Sequence, residues 1–131
     1  MEAIARQKYI HTTPRKLRLV AGMIKTLTPK QALEMLPYSQ KRASEPLFKA
    51  IKAAVANAQN KGAQLDELVF KEIQITDGPR LKRGRPVSRG TWHPVVKRTS
   101  HIRVVVEQKI KPQSKKEKKI KDEAKVKKED K

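Results

Sequence analysis

The side chains with the clearest chemistry lie in one segment, residues 78–98, which reads GPRLKRGRPVSRGTWHPVVKR and contains seven Lys or Arg and no acid. Guanidinium and ammonium groups pair with phosphates, and Arg can also stack on bases. Trp92 and His93 add flat rings on which unpaired bases can stack. The candidate phosphate contacts are Arg80, Lys82, Arg83, Arg85, Arg89, Lys97 and Arg98. We interpret the segment as an RNA contact, with a solvated charged loop as the alternative.

Residues for other kinds of chemistry are sparse. His11, His93 and His101 are scattered, and the chain has no Cys, so the usual zinc patterns and cysteine nucleophiles are excluded. Asp77 precedes Gly-Pro and is typical of a turn. No phosphate loop or nucleophile elbow is present. We therefore expect no enzyme activity, no metal site and no cofactor.

The charge of the whole chain supports a polyanionic partner. Its 131 residues carry 32 Lys and Arg against 13 Asp and Glu, a net charge of +19. Residues 110–131 contribute ten Lys and five acids, which leaves 22 basic and 8 acidic residues, a net of +14, in residues 1–109. The end segment has almost nothing to bury, so we expect a disordered or transiently helical tail there and a single basic domain over residues 1–109.

Targeting signals are not apparent. The beginning of the chain lacks an apolar core of the kind found in signal peptides, and the longest apolar run, residues 19–24, is far shorter than the roughly 20 residues that cross a bilayer. The absence of Cys fits a reducing compartment. We expect a cytoplasmic protein without membrane insertion.

Three helices are predicted from caps and apolar spacing. Thr13-Pro14 and Thr28-Pro29 each place an N-cap hydroxyl before a Pro at the first helical position. The first helix would bury one apolar face and leave Arg15, Lys16 and Arg18 exposed. The second would end at Pro37. A longer third helix would run from Ser39, with a kink, or from Ser44 to about Lys61, with an Ala-rich face toward the core.

Strand patterns flank these helices. Residues 3–11 alternate weakly, residues 68–76 are rich in β-formers, and residues 101–107 place Ile102, Val104 and Val106 on one face. Because the last two strands bracket the basic segment, we predict a long hairpin or loop there. Arms of about ten residues at roughly 3.3 Å each would reach about 30 Å from the body.

Four blocks in this order resemble the bacterial-type large-subunit ribosomal protein L twenty-two family: TPRKLRLVAGMI (13–24), AAVANAQNKG (53–62), TDGPRLKRGRP (76–86) and KRTSHIRVVV (97–106). The similarity covers residues 3–108. It implies an α+β fold with three helices packed on a small antiparallel sheet and a long protruding basic β-hairpin. The matched rRNA-contacting positions are Arg15, Lys16, Arg18, Lys82, Arg83, Lys97, Arg98, Thr99, Ser100 and His101.

The resemblance also implies a function. Family members bind large-subunit rRNA, contact several of its domains during assembly, and line the nascent-peptide exit tunnel with the hairpin, next to ribosomal protein L four. A monomer within the ribosome, in contact with the nascent peptide, is implied. The hairpin tip departs from the family pattern, because Pro86-Val87-Ser88 and Gly90-Thr91-Trp92 replace one or two tip arginines.

Two other functions fit the composition less well. An architectural DNA-binding protein could use a basic β-ribbon arm with Pro86 as a wedge, but such proteins usually supply two arms as dimers. A cationic membrane-surface protein would need a basic amphipathic helix with bulky apolar anchors. The sequence shows one arm and no such helix.

Overall fold

A computed structural model of the protein describes residues 1–108. Within this range, strand β1 (Glu2–Ile10) is followed by helices α1 (Pro14–Ile24), α2 (Pro29–Met35) and α3 (Ser44–Asn60), and then by strands β2 (Leu68–Pro86) and β3 (Trp92–Gln108). The strands form an antiparallel sheet in the order β1-β3-β2. This arrangement confirms the predicted α+β fold. The tail predicted for residues 110–131 lies outside the described residues.

The hydrophobic core lies between the helices and one face of the sheet. The predicted apolar face of β3, Ile102, Val104 and Val106, is buried, as are Ala3 and Ala5 on β1. The helices and the short turn after α2 contribute the large buried side chains Leu17, Val20, Ile24, Leu36, Leu47 and Ile51. The apolar spacing in the sequence therefore predicted the correct core faces.

The two Thr-Pro helix starts differ in the structure. At α2 the Thr28 hydroxyl accepts from the Gln31 N–H at 3.4 Å, and the Gln31 side chain accepts from the Thr28 N–H at 3.2 Å, which completes a capping box. At α1 the Thr13 side chain makes no capping bond, so that part of the prediction is wrong. The Lys16 N–H, which such a hydroxyl would cap, donates to the Thr13 carbonyl at 3.1 Å instead.

Helix α3 begins at Ser44, which selects the unkinked alternative. Pro46 is tolerated because the first N–H groups of a helix have no partner within it. At the other end, Gly62 has φ of +85° and donates to Gln59, while Ala63 donates to Ala58. These two bonds form a Schellman motif, for which the left-handed Gly is well suited.

The last two strands are longer than predicted. Strand β2 runs to Pro86 instead of ending near residue 76, and β3 begins at Trp92 instead of near residue 101. Pairing continues from Arg80 with Arg98 to Pro86 with Trp92, after an irregularity between Asp77 and Arg80. The sequence left a hairpin or a loop open for this segment, and the paired arms select the hairpin. Hydrophobic alternation could not place the strand ends, because the side chains of the arms are exposed on both faces.

Candidate nucleic-acid interface

The extension of β2 and β3 exposes every side chain from residue 79 to residue 98. Within it lie all seven predicted cations and the two predicted stacking rings, Trp92 and His93. No acidic residue interrupts the run. Backbone hydrogen bonds between the two strands hold this ribbon together. Its side chains, whose charges all have one sign, are therefore free to contact a partner.

The register gives the two faces of this ribbon different chemistry. Paired residues share a face, and faces alternate along a strand. One face, which we call the basic face, carries Arg83, Arg85, His93 and Lys97 together with Leu81 and Val95. On the other face the half near the body carries Arg80, Lys82 and Arg98 with Val96, whereas the distal half, which we call the apolar face, carries Gly84, Pro86, Trp92 and Pro94.

The tip of the ribbon is closed by local hydrogen bonds. The Val87 N–H donates to the Thr91 carbonyl at 2.9 Å, and the Thr91 hydroxyl donates to the Ser88 carbonyl at 2.9 Å. Arg89 and Gly90 both have positive φ, of 59° and 71°. A non-glycine residue in this region is uncommon and is associated with functional sites. The tip thus presents Arg89 on a defined backbone.

Thr99 and Ser100 form the base of the ribbon. Both side chains are buried, with 4% and 0% exposure. The Thr99 hydroxyl donates to the Pro79 carbonyl at 2.7 Å, and the Ser100 hydroxyl donates to the Thr12 carbonyl. A Cβ on Gly78 would collide with Thr99 Oγ1. These two residues hold the ribbon on the body and present no polar group at its surface.

Asp77 lies at the same base between two of the predicted cations. Its carboxylate is 3.9 Å from the Arg18 guanidinium and 3.7 Å from that of Arg80. Arg18 also donates to the Ile75 carbonyl at 3.1 Å, which ties α1 to β2. Exposed pairs of this kind are weak. The Arg18 guanidinium therefore holds α1 on β2 in addition to any contact that it makes with a partner. Arg15 on the same helix is exposed.

A cavity of about 470 Å³ brings the start of α1 and the base of the ribbon together. Its wall includes Lys16 from the helix and Lys97 and Arg98 from β3, all three predicted as phosphate contacts. Leu19, Val20, Ala43 and Val96 supply apolar surface. A wall that combines apolar surface with cations suits a nucleotide, whose base is flat and whose phosphate is charged.

The wall of this cavity contains three further basic residues that the sequence did not predict as RNA contacts: His11, Lys41 and Arg42. Lys41 and Arg42 lie between α2 and α3, far along the chain from the hairpin. In the sequence, these two residues could have been recognised as an RNA contact only because they form a Lys-Arg pair in a segment, residues 37–44, that contains no acid. Only the fold brings them beside Lys97 and Arg98.

His101, the last predicted contact, faces the side of the sheet opposite the helices. Its Nδ1 accepts a hydrogen bond from the Tyr9 N–H at 3.0 Å. The two rings meet edge to face, with centroids 5.0 Å apart. In a neutral ring this bond places the proton on Nε2, which remains a donor.

Basic side chains outnumber acidic ones in the described part of the chain. Within residues 1–108, no three His, Cys, Asp or Glu side chains are placed to share a metal ion. No helix in the same range is long and apolar enough to cross a membrane. The exposed cations, the few exposed rings and the hydrogen-bond donors of this range match the phosphates and bases of a nucleic acid.

Comparison with known families agrees with this chemistry. The model of the family described as Ribosomal protein L22p/L17e matches residues 5–107, from β1 to the end of β3. This family consists of structural proteins of the large ribosomal subunit that bind rRNA, and it is not a family of enzymes. The match favours a ribosomal protein over an architectural DNA-binding protein and confirms the resemblance found in the sequence. The chain belongs to the Ribosomal protein L22p/L17e family and is a structural component of the large ribosomal subunit.

Proposed function

We propose that the body of this protein binds rRNA at the surface of the large subunit and that its hairpin, residues 78–98, lines the nascent-peptide exit tunnel. In doing so it bridges several rRNA domains during assembly in the cytoplasm. The observation that carries this proposal is the unbroken exposure of residues 79–98 on paired strands with seven cations and no acid. A free protein gains little from such a ribbon, whereas packed RNA neutralises it along its whole length.

The dimensions of the ribbon support insertion between RNA segments. From Asp77 to Pro86 it has ten residues, or about 33 Å at roughly 3.3 Å per residue. A domain of about 100 residues has a radius of gyration of only about 13 Å. The tip therefore reaches rRNA that the body does not touch, which is the geometry that bridging requires.

The two faces of the ribbon support a division of labour within the tunnel wall. The basic face supplies cations for rRNA phosphates. The apolar face, with Trp92 exposed to 68%, has no charge to attract phosphates. We assign this side to the tunnel lumen, where it meets the nascent peptide and ribosomal protein L four. In this assignment Trp92 faces the lumen instead of stacking on an RNA base, and only His93 of the two predicted rings lies on the basic face.

The body supplies a second rRNA contact through the cavity at the base of the ribbon. Lys16, Lys97 and Arg98 lie on its wall together with Lys41 and Arg42. Cations from α1, from the segment before α3 and from β3 converge there. One RNA segment held in this cavity would fix the orientation of the ribbon relative to the body, so a single copy of the protein suffices at its site.

The test is a variant in which residues 81–97 are replaced by Asn-Gly. Arg80 and Arg98 are paired, so the two-residue turn joins opposed positions and suits the twist of the strands. In ribosomes from cells that carry this variant as the sole copy, we expect the body in place and a wider tunnel constriction by cryo-EM. Wild-type particles purified with the same high-salt wash are the control.

Two outcomes would contradict this proposal. If the tunnel constriction is unchanged in particles that contain the shortened protein, the hairpin is not a tunnel element. If the folded variant does not enter the particle at all, the hairpin is the main assembly anchor and the body does not bind independently.

A further inference from the structure

The face of the sheet opposite the helices carries a cluster of cations at one end. On β1, Arg6 and Lys8 point to this face, and on β3 Arg103 and His101 do so. Arg6 is paired directly with Arg103. Like charges in directly opposed positions of an antiparallel pair destabilise a sheet. The free protein thus retains a repulsive pair on this face.

The acidic side chains on this face form no ion pair with Arg6 or Arg103 in the described structure, and Arg103 acts on Glu2 only from beyond ion-pair distance. Lys71 holds the carboxylate of Glu2 and lies 4.0 Å from that of Glu107, at the other end of the face. The hydrogen bond from Lys71 lowers the pKa of Glu2, and that bond to Glu2 also raises the pKa of Lys71. Lys71 thus engages the carboxylates at that end, and neither of them forms an ion pair with Arg6 or Arg103.

The acid that the register places next to the pair is Glu72, opposite Val105. Among residues 1–108, the ion pairs include neither Glu72 nor Arg6, Lys8 or Arg103. The Nε of Arg103 is buried without a hydrogen-bond partner in the described structure. The cations consequently have unused capacity for an anion.

A cavity of about 200 Å³ lies over these cations. Its wall consists largely of hydrogen-bond donors from all three strands: Arg6, Lys8, Gln74, Thr76, His101 and Arg103. His101 belongs to this set because its Nδ1 is occupied by Tyr9 and its Nε2 remains a donor. A concentration of donors and positive charge without a carboxylate in its wall suits an oxyanion.

Tyr9 stands beside this cavity, in contact with His101 of its wall. Its backbone has φ of 58°, at the irregularity of the β1 pairing between Gln7 and Ile10. The side chain is 61% exposed, and its ring stands against that of His101. A non-glycine residue is held in this conformation only when its surroundings support it, and such sites are often functional. The ring is placed where a base next to a bound phosphate could stack.

We propose that Arg6 and Arg103 bind a backbone phosphate of RNA on the outer face of the sheet, with Tyr9 as a stacking surface beside it. The proposal rests on the proposed rRNA-binding function and adds a surface remote in sequence from the hairpin. The phosphate would lie between the two guanidiniums and convert their repulsion into a shared contact. Arg suits this role because its planar group binds phosphate oxygens in a bidentate manner.

The test uses the full-length chain and Arg6→Gln, with Lys52→Gln as the control of equal charge change. Lys52 is exposed on α3, away from this face. The probe is a large-subunit rRNA transcript, titrated by filter binding at several salt concentrations. One lost phosphate contact should reduce the slope of log affinity against log salt by about 0.7 to 0.9, or affinity roughly five- to eightfold at 0.1 M salt.

Thermal unfolding of the free protein gives a second measurement. If Arg6 had only a structural role, its substitution would not raise Tm and weaken RNA binding at the same time. Because Arg6→Gln removes the repulsion, it should raise Tm by about 1 to 5 °C while it weakens RNA binding. Arg103→Lys keeps a charge but loses the bidentate fork, so it should weaken binding while the salt slope stays close to that of the wild type. Lys52→Gln should leave both quantities near those of the wild type.

The outcomes separate this proposal from the proposed function. If Arg6→Gln and Arg103→Lys affect affinity no more than Lys52→Gln, while the hairpin replacement still weakens binding, the sheet-face site is wrong and the rRNA-binding function stands. If the wild-type chain itself binds the transcript with a slope near −1, multi-phosphate binding by this protein is wrong altogether. A Tm that falls in Arg6→Gln would show that the pair is not repulsive, which also overturns the proposal.

Discussion

Trp92 lies over Gly84 across the hairpin, so close that a Cβ on Gly84 would be 2.6 Å from Cε3 of the indole. Gly84 is paired with Pro94, and Trp92 with Pro86, so the two residues are diagonal neighbours on the apolar face. One side of the indole is thereby held against the strand while 68% of the residue stays exposed. Since the chain has a single Trp, its fluorescence reports on the hairpin alone.

Substitution of Gly84 by Val should displace the indole. The added side chain occupies space that Trp92 now fills, and contacts below 3.0 Å force a shift. We expect a red-shifted emission maximum and lower anisotropy of Trp92 with little change in Tm, because the hairpin buries almost nothing. Gly22→Ala is the control: it meets no atom within 4 Å in α1 and should stabilise the protein by about 0.5 to 1 kcal/mol without altering fluorescence. An unchanged spectrum in Gly84→Val would contradict the observed packing.

The two Thr-Pro helix starts provide a matched pair of substitutions. Thr28→Ala removes the hydroxyl of the capping box and should lower the free energy of unfolding by about 1 kcal/mol. Thr13→Ala removes a hydroxyl that caps nothing and should change it by less than about 0.5 kcal/mol. Urea unfolding monitored by circular dichroism measures both. Equal losses in the two variants would show that Thr13 does cap α1 in solution.

Ser100→Ala tests the attachment of the hairpin to the body. The hydroxyl of the fully buried Ser100 donates to the Thr12 carbonyl, and its removal leaves that part-buried acceptor without the bond. We expect a loss of about 1 to 3 kcal/mol in unfolding free energy. Ser88→Ala at the exposed tip should stay within about 0.5 kcal/mol of the wild type. If Ser100→Ala lowers the free energy of unfolding by less than about 0.5 kcal/mol, the Ser100 hydroxyl does not attach the hairpin to the body.

The salt dependence of rRNA binding tests the number of hairpin contacts. If the seven cations of residues 78–98 each neutralise one phosphate, they should contribute about −5 to −6 to the slope of log affinity against log salt. Filter binding of the wild type and of the Asn-Gly replacement gives this contribution as a difference. Five of the seven cations are removed in that variant, so a difference of about 3.5 to 4.5 is expected. A difference near zero would mean that the ribbon makes no phosphate contacts.

Local and periodic features were determined by the sequence alone. The Thr-Pro pairs marked two helix starts, and Gly62 marked the end of α3, because capping depends on residues a few positions apart. The alternation of Ile102, Val104 and Val106 predicted the buried face of β3, since side chains of a strand alternate between faces. The seven cations of the hairpin were visible as composition, and the four family blocks identified the fold.

Only the tertiary structure decided which distant residues meet. The extension of β2 and β3, the contact of Trp92 with Gly84 and the burial of Ser100 all follow from strand register, which the exposed arms do not encode by hydrophobic alternation. Lys41 and Arg42 join Lys97 and Arg98 only through the packing of the segment before α3. Arg6 and Arg103 oppose each other because β3 is the central strand and pairs with β1. Such neighbours are fixed by long-range pairing and packing of the whole core, so no local pattern in the chain specifies them.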